Sequence, residues 1–150
     1  MKRGKFLLTL LAAAFTLLSV GGAQAQKKRE ALAWPAANLK WIEMKGGPPG
    51  LSYVDLWGHM DKGAYGVLVK LPAGMDHPLH VHTSDVKLVV VSGMFWYKPD
   101  GGTKVELGPG SYLMVPGGLK HTSGTGPDGV EMFQEGPGKF DMLPVEAPAK

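Results

Sequence analysis

Three of the five histidines in this 150-residue chain crowd into six positions: His77, His80 and His82, with Pro78, Leu79 and Val81 between them. In an extended segment, side chains at i and i+2 point to the same face. His80 and His82 would then stand about 6.5–7 Å apart on one side of a strand. That span lets two imidazoles converge on one divalent ion with nitrogen–metal bonds of about 2.0–2.1 Å. So short a pattern also recurs by chance, and two hydrogen-bonded surface histidines would show the same spacing. The chain has no cysteine, which excludes thiol nucleophiles, disulfides and Cys-ligated zinc or iron–sulfur sites. Ser84, Ser92 and Ser123 lack the Gly-x-Ser-x-Gly setting of a nucleophile elbow. No glycine loop of the phosphate-binding kind leads into a helix.

The elements that would carry these histidines are strands. Short apolar or alternating runs cover residues 39–44, 51–57, 64–71, 79–82, 86–92, 94–98, 104–107, 111–115, 120–123 and 130–135. Clusters of glycine and proline separate them, and no long window keeps a helical period. The pattern predicts an all-β sandwich or barrel. In the 64–71 run, Tyr65, Val67, Val69 and Leu71 share a face. In the 86–92 run, Val86, Leu88 and Val90 lie opposite Lys87. The unbroken apolar stretch 88–91 predicts a strand covered on both sides.

Two spaced motifs carry a resemblance to a family. Gly74, His80, His82 and Gly93 stand at the intervals of the first motif of the cupin superfamily. Gly110, Pro116, Gly118 and His121 stand at those of the second, with Thr125 where the motif usually ends in Asn. More narrowly, the glycine-rich stretch before the strands, the Val-Val-Val-Ser-Gly segment and the late Glu-Gly-Pro (residues 135–137) are similar to an uncharacterised cupin subgroup, DUF4437. The resemblance implies a small jelly-roll β-barrel holding a metal ion. His80 and His82 would come from one strand, and His121 from another facing it across the barrel mouth. The turn at Pro116, Gly117 and Gly118 would reverse the chain just before His121, and Gly93 would permit a hairpin.

The cupin pattern also places a Glu beyond the second histidine, with three or four residues between them. Here those positions hold Val86 and Lys87. Asp85 would reach the site only through a bulge. His77 and Gln134 are the other candidates for a fourth ligand or a supporting hydrogen bond, and Glu131 lies on the opposite face from Gln134. His59 reads as a loop residue, and Tyr65, Trp96 and Tyr97 as packing that could include a pocket wall. An all-histidine site suits Zn, Fe, Mn, Ni or Cu as a divalent cofactor. Three readings follow: a small-molecule metalloenzyme, dioxygenase-like or hydrolytic; a non-catalytic cupin module that binds or senses a small ligand; or a degenerate barrel whose histidines are structural remnants.

Residues 1–25 have the three parts of a secretory signal peptide: Lys2, Arg3 and Lys5, then an apolar run, then Ala23-Gln24-Ala25. Cleavage after Ala25 would leave no stable membrane anchor and would send the protein to the periplasm or medium. It would also remove three of the 16 Lys and Arg and none of the 13 Asp and Glu, leaving a balanced mature chain. Such a balance argues against a nucleic-acid partner. Residues 26–38 read as an N-terminal arm, 39–143 as the barrel domain and 144–150 as a C-terminal tail. Cupins often pair through sheet edges, so the resemblance also implies a possible homodimer.

Overall fold

The computed structural model describes residues 30–145. The expected signal peptide and the last five residues of the expected tail lie outside the described residues. The nine strands of the described residues fall within the unit Ala33–Lys150. They are β1 (Ile42–Glu43), β2 (Ser52–Gly58), β3 (Tyr65–Leu71), β4 (Asp76–Val81), β5 (Val86–Pro99), β6 (Val105–Leu107), β7 (Tyr112–Val115), β8 (His121–Gly136) and β9 (Leu143–Pro144). One three-residue 3-10 turn, Ala36–Asn38, is the only helical element among the described residues. In the arm before β1, the Trp34 indole N–H donates to the Leu56 carbonyl at 2.9 Å. The short β9 pairs with β4 at the start of the segment read as a tail.

The fold is all-β among the described residues. Every strand pairing is antiparallel, and the hydrogen-bonded path stays open rather than closing into a ring. Two long strands, β5 and β8, run side by side through its centre. On its other edge β8 meets β3 along residues 130–136 and β4 along 121–124. On its far edge β5 meets β7 and then β6.

The sequence pattern divides both long strands in two, and the structure does not. Gly93 opens no hairpin: β5 continues through it, bulged against β8 on both sides. Gly93 has φ +77°, and a Cβ there would stand 2.1 Å from the Gly129 carbonyl oxygen, so two backbones meet where only glycine fits. The inward parity switches across this bend, from Val86, Leu88 and Val90 to Phe95 and Tyr97 on β5. On β8 it switches from His121, Ser123 and Thr125 to Val130, Met132 and Gln134. Glycines that read as loop signals are instead seats for large neighbours. Trp96 lies over its cross-strand partner Gly124, and Met94 over Gly126.

The bend lets each long strand serve both halves of the core. Tyr65, Val67 and Val90 are fully buried, and each such side chain contributes about 1.5–3 kcal/mol of apolar burial. The stretch 88–91, in contrast to the expectation, is covered on one side only. Val89 and Val91 are 36% and 49% exposed and share the outer face with Tyr112. A short apolar run cannot distinguish a strand buried on both faces from one whose outer residues are β-branched for backbone reasons alone.

Candidate metal centre

His80 is on β4, His82 is one residue past its end, and His121 is the first residue of β8. All three are buried, at 3%, 6% and 2% exposure. One ligand nitrogen from each lies within 4.8 Å of those of the other two, so three buried histidines are placed to hold a metal ion. The ring centroids of His80 and His121 are 4.2 Å apart, and His82 stands 5.0 and 5.1 Å from them. His121 does not face the pair across a barrel mouth. β4 and β8 are hydrogen-bonded neighbours, and His80 and His121 are direct cross-strand partners. The turn before His121 is tied to the same place: the Gly118 N–H donates to the His82 carbonyl at 2.8 Å.

The hydrogen bonds fix which nitrogen faces the centre. His80 Nδ1 contacts the Pro78 carbonyl at 2.7 Å, His121 Nδ1 the Leu119 carbonyl at 2.9 Å, and His82 Nδ1 the Asp141 carbonyl. A carbonyl oxygen only accepts, so each Nδ1 carries the proton and donates it. Each Nε2 is then the atom with a free lone pair, which is the usual arrangement behind a ligating histidine. Burial holds His121 down at about 4, with the neighbouring imidazoles adding to the effect. Burial likewise lowers His82. Both are neutral near pH 7, as metal ligation requires.

The remaining candidates have other occupations. Asp85 Oδ1 accepts the Gly117 N–H at 2.9 Å and braces the turn before His121; it precedes β5, whose register runs without a bulge from Val86 to Val89. Val86 is buried and Lys87 points outward, 3.7 Å from Glu135. His77 sits beside the centre, its ring 6.1 Å from that of His80 and its Nδ1 3.1 Å from Ser123 Oγ. It lies outside the converging group of three. Gln134 is buried and donates to the Tyr65 hydroxyl at 2.8 Å, whereas Glu131 pairs with Lys70 outside. His59 contacts Asp55, away from the centre.

A small cavity of about 40 Å³ adjoins His77, His80 and His82. Its walls are mostly apolar, with Val86, Leu88, Phe95, Met132 and Phe140 among them, and Gln134 and Ser123 are polar exceptions. Tyr97 also lines it, its ring 5.2 Å from that of His121. Burial pushes the phenols of Tyr65 and Tyr97 up, so both stay protonated and can donate. No Asp, Glu, Lys or Arg lines the cavity among the described residues. Phe140 and Asp141 are the parts of this site that motif spacing did not reveal, because they lie about 60 residues from His82 and belong to no motif.

The sequence signature of a family described as a domain of unknown function, DUF4437, matches residues 27–150. The chain belongs to the DUF4437 family. No curated protein sequence matches it. Among solved structures it is similar to an RmlC-like cupin protein from Ralstonia eutropha, with 20% identity, TM-score 0.62, and 80% of this chain and 78% of that one covered. It is also similar to the polyketide cyclase RemF from Streptomyces resistomycificus, at 21% identity and TM-score 0.58, covering 80% and 86%. The DMSP lyase DddQ from Ruegeria pomeroyi matches at 21% identity and TM-score 0.55, with 73% of this chain covered. This chain spans 61% of the length of that lyase. At these identities the likeness is one of fold: this DUF4437 protein has a cupin-like fold.

Proposed function

We propose that this protein is an exported metalloenzyme in which His80, His82 and His121 hold one divalent transition metal beside a pocket for a small molecule. The supporting observation is the set of three buried imidazoles, each with Nδ1 engaged by a carbonyl and Nε2 left for a common ion. Zn, Fe, Mn, Ni or Cu fits this nitrogen donor set. A bound ion would act there as a Lewis acid toward an oxygen donor of the ligand. The chain's own residues would do the rest. Val86, Leu88 and Met132 exclude water, while Gln134 and the protonated Tyr97 offer hydrogen bonds along the wall. The chemistry proposed is dioxygenase-like or hydrolytic. Cupin-fold neighbours that are a lyase and a polyketide cyclase support small-molecule catalysis as a use of this fold.

A second reading, a non-catalytic module that captures a small ligand, is favoured by one observation: among the described residues the cavity wall carries no carboxylate to act as a general base. Export is proposed from the tripartite pattern of residues 1–25.

The test is elemental analysis of the mature, untagged protein, beside His82→Ala and His121→Ala. Near-stoichiometric metal in the wild type, lost in both variants, is the expected result. Absence of metal after growth in metal-replete medium would remove the enzyme reading. Oxygen uptake and hydrolysis across a panel of small phenols, diketones and esters then separates catalyst from binder. Export is checked by sequencing the periplasmic form, which should begin at Gln26.

A further inference from the structure

The three histidines differ in what orients them. The carbonyls that take the Nδ1 protons of His80 and His121 lie two residues before each ring, on the same stretch of chain. The carbonyl that takes the His82 proton belongs to Asp141, 59 residues away. The His82 ring is therefore the one whose orientation depends on a separate piece of the protein.

That piece is residues 137–145, which leave β8 and run beside the centre to β9. It is fastened at four points. The Phe140 N–H donates to the Met60 carbonyl at 2.7 Å, and the Val145 N–H to the Leu79 carbonyl at 3.0 Å. The Asp141 carboxylate accepts the Thr83 N–H at 2.8 Å through one oxygen and the Thr83 hydroxyl at 2.6 Å through the other. Leu143 and Pro144 pair with Val81 and His80. Within the segment, the Phe140 ring lies 5.2 Å from the His82 ring and lines the cavity.

We infer that residues 137–145 form a positioning strap, and that Asp141, clamped to Thr83, sets the orientation and tautomer of His82 so that strap docking and metal binding reinforce each other. This rests on the metal reading above. Asp141 acts at both ends: its carboxylate holds the strap to Thr83, and its carbonyl then meets the neighbouring His82. Phe140 closes the same side of the cavity, so displacing the strap would open the pocket and release His82 together. Partners that orient ligating histidines typically alter metal affinity by about 10–100-fold, and linkage makes the effect reciprocal.

Asp141→Ala removes the clamp at a half-buried position, and Phe140→Ala is a second variant that removes the ring instead. Two readouts are used. In the metal-free protein, long-range proton–nitrogen NMR should show His82 as the Nδ1–H tautomer in the wild type and as a mixture in Asp141→Ala. In Co²⁺ and Zn²⁺ titrations, Asp141→Ala should bind about 10–100-fold more weakly, yet add no further loss to the residual binding by His80 and His121 that high metal concentrations read in a His82→Ala background. A strap that were merely structural would weaken binding in both backgrounds. Metal should also slow amide exchange at Phe140 and Val145 in the wild type, and not in His82→Ala. An unchanged His82 tautomer in Asp141→Ala, or equal losses in both backgrounds, would overturn the strap. If the wild type binds no metal, the metal reading fails, and the tautomer measurement alone decides whether Asp141 orients His82.

Discussion

Lowering the pH of the metal-free protein should destabilise it through the same imidazoles that would ligate an ion. His121 is held at about 4 by burial, against 6.5 for an ordinary histidine. In the unfolded chain it returns to that ordinary value. Between these limits the unfolded state binds more protons than the native state, so stability rises with pH across the interval and is lost as pH falls through it. At about pH 5 the loss for one such group is roughly 2 kcal/mol relative to pH 7.5. His77, also held at about 4 by burial and by His80 and His82, adds in the same direction. It is less buried than His121, so water screens part of its share. A domain of this size has roughly 5–15 kcal/mol in total, so the shift is large enough to read. Asp141, lowered by its two bonds to Thr83, acts only below about pH 4 and leaves the interval clear. The assay is urea denaturation in EDTA at both pH values, for wild type, His121→Ala and His77→Ala. Wild-type stability equal within about 0.5 kcal/mol at the two pH values, or a His121→Ala variant with the full pH dependence, would refute the reasoning.

Three further outcomes are expected. Gly93→Ala should cost at least about 2 kcal/mol in denaturant unfolding, since a left-handed φ alone costs about 1–2 kcal/mol and the added Cβ meets the Gly129 carbonyl oxygen. Tyr65→Phe should cost about 1–3 kcal/mol by leaving the buried Gln134 amide without its acceptor. Gln134→Leu in the same background should recover part of that loss, measured as a coupling of about 1 kcal/mol in a double-mutant cycle. Asp85→Asn should leave metal content unchanged by elemental analysis, because the Asp85 carboxylate braces Gly117 rather than the centre.

The alternation of β3 and the spacing of His80 and His82 were legible because both depend only on near neighbours along the chain. Strand faces are set by a period of two, and Tyr65, Val67, Val69 and Leu71 are all buried as that period requires. Gly93 and the glycines from 124 to 129 misled for the opposite reason. A glycine that ends a strand and one that sits under a Trp or in a bulge are the same letter; only the partner strand distinguishes them. The partner strand also decided where His121 stands, beside His80 rather than across from it. The Asp141 carbonyl was invisible for a further reason: any residue has a carbonyl, so its identity carries no signal of its use.

The position where cupins carry a Glu gives the site its electrostatic character. Val86 occupies it, buried in the cavity wall, and the next residue spends its charge outside against Glu135. Three neutral imidazoles would leave a divalent ion with its full charge in a cavity that no charged side chain of the described residues lines. An uncompensated charge in apolar surroundings is costly. With no carboxylate among the described residues lining the cavity, an anionic oxygen on the ligand itself would supply the compensation. The gap in the motif therefore argues for the class of ligand more than it argues against the metal. An acidic oxygen would match the centre through its charge, whereas a neutral or cationic group would leave the ion's charge uncompensated.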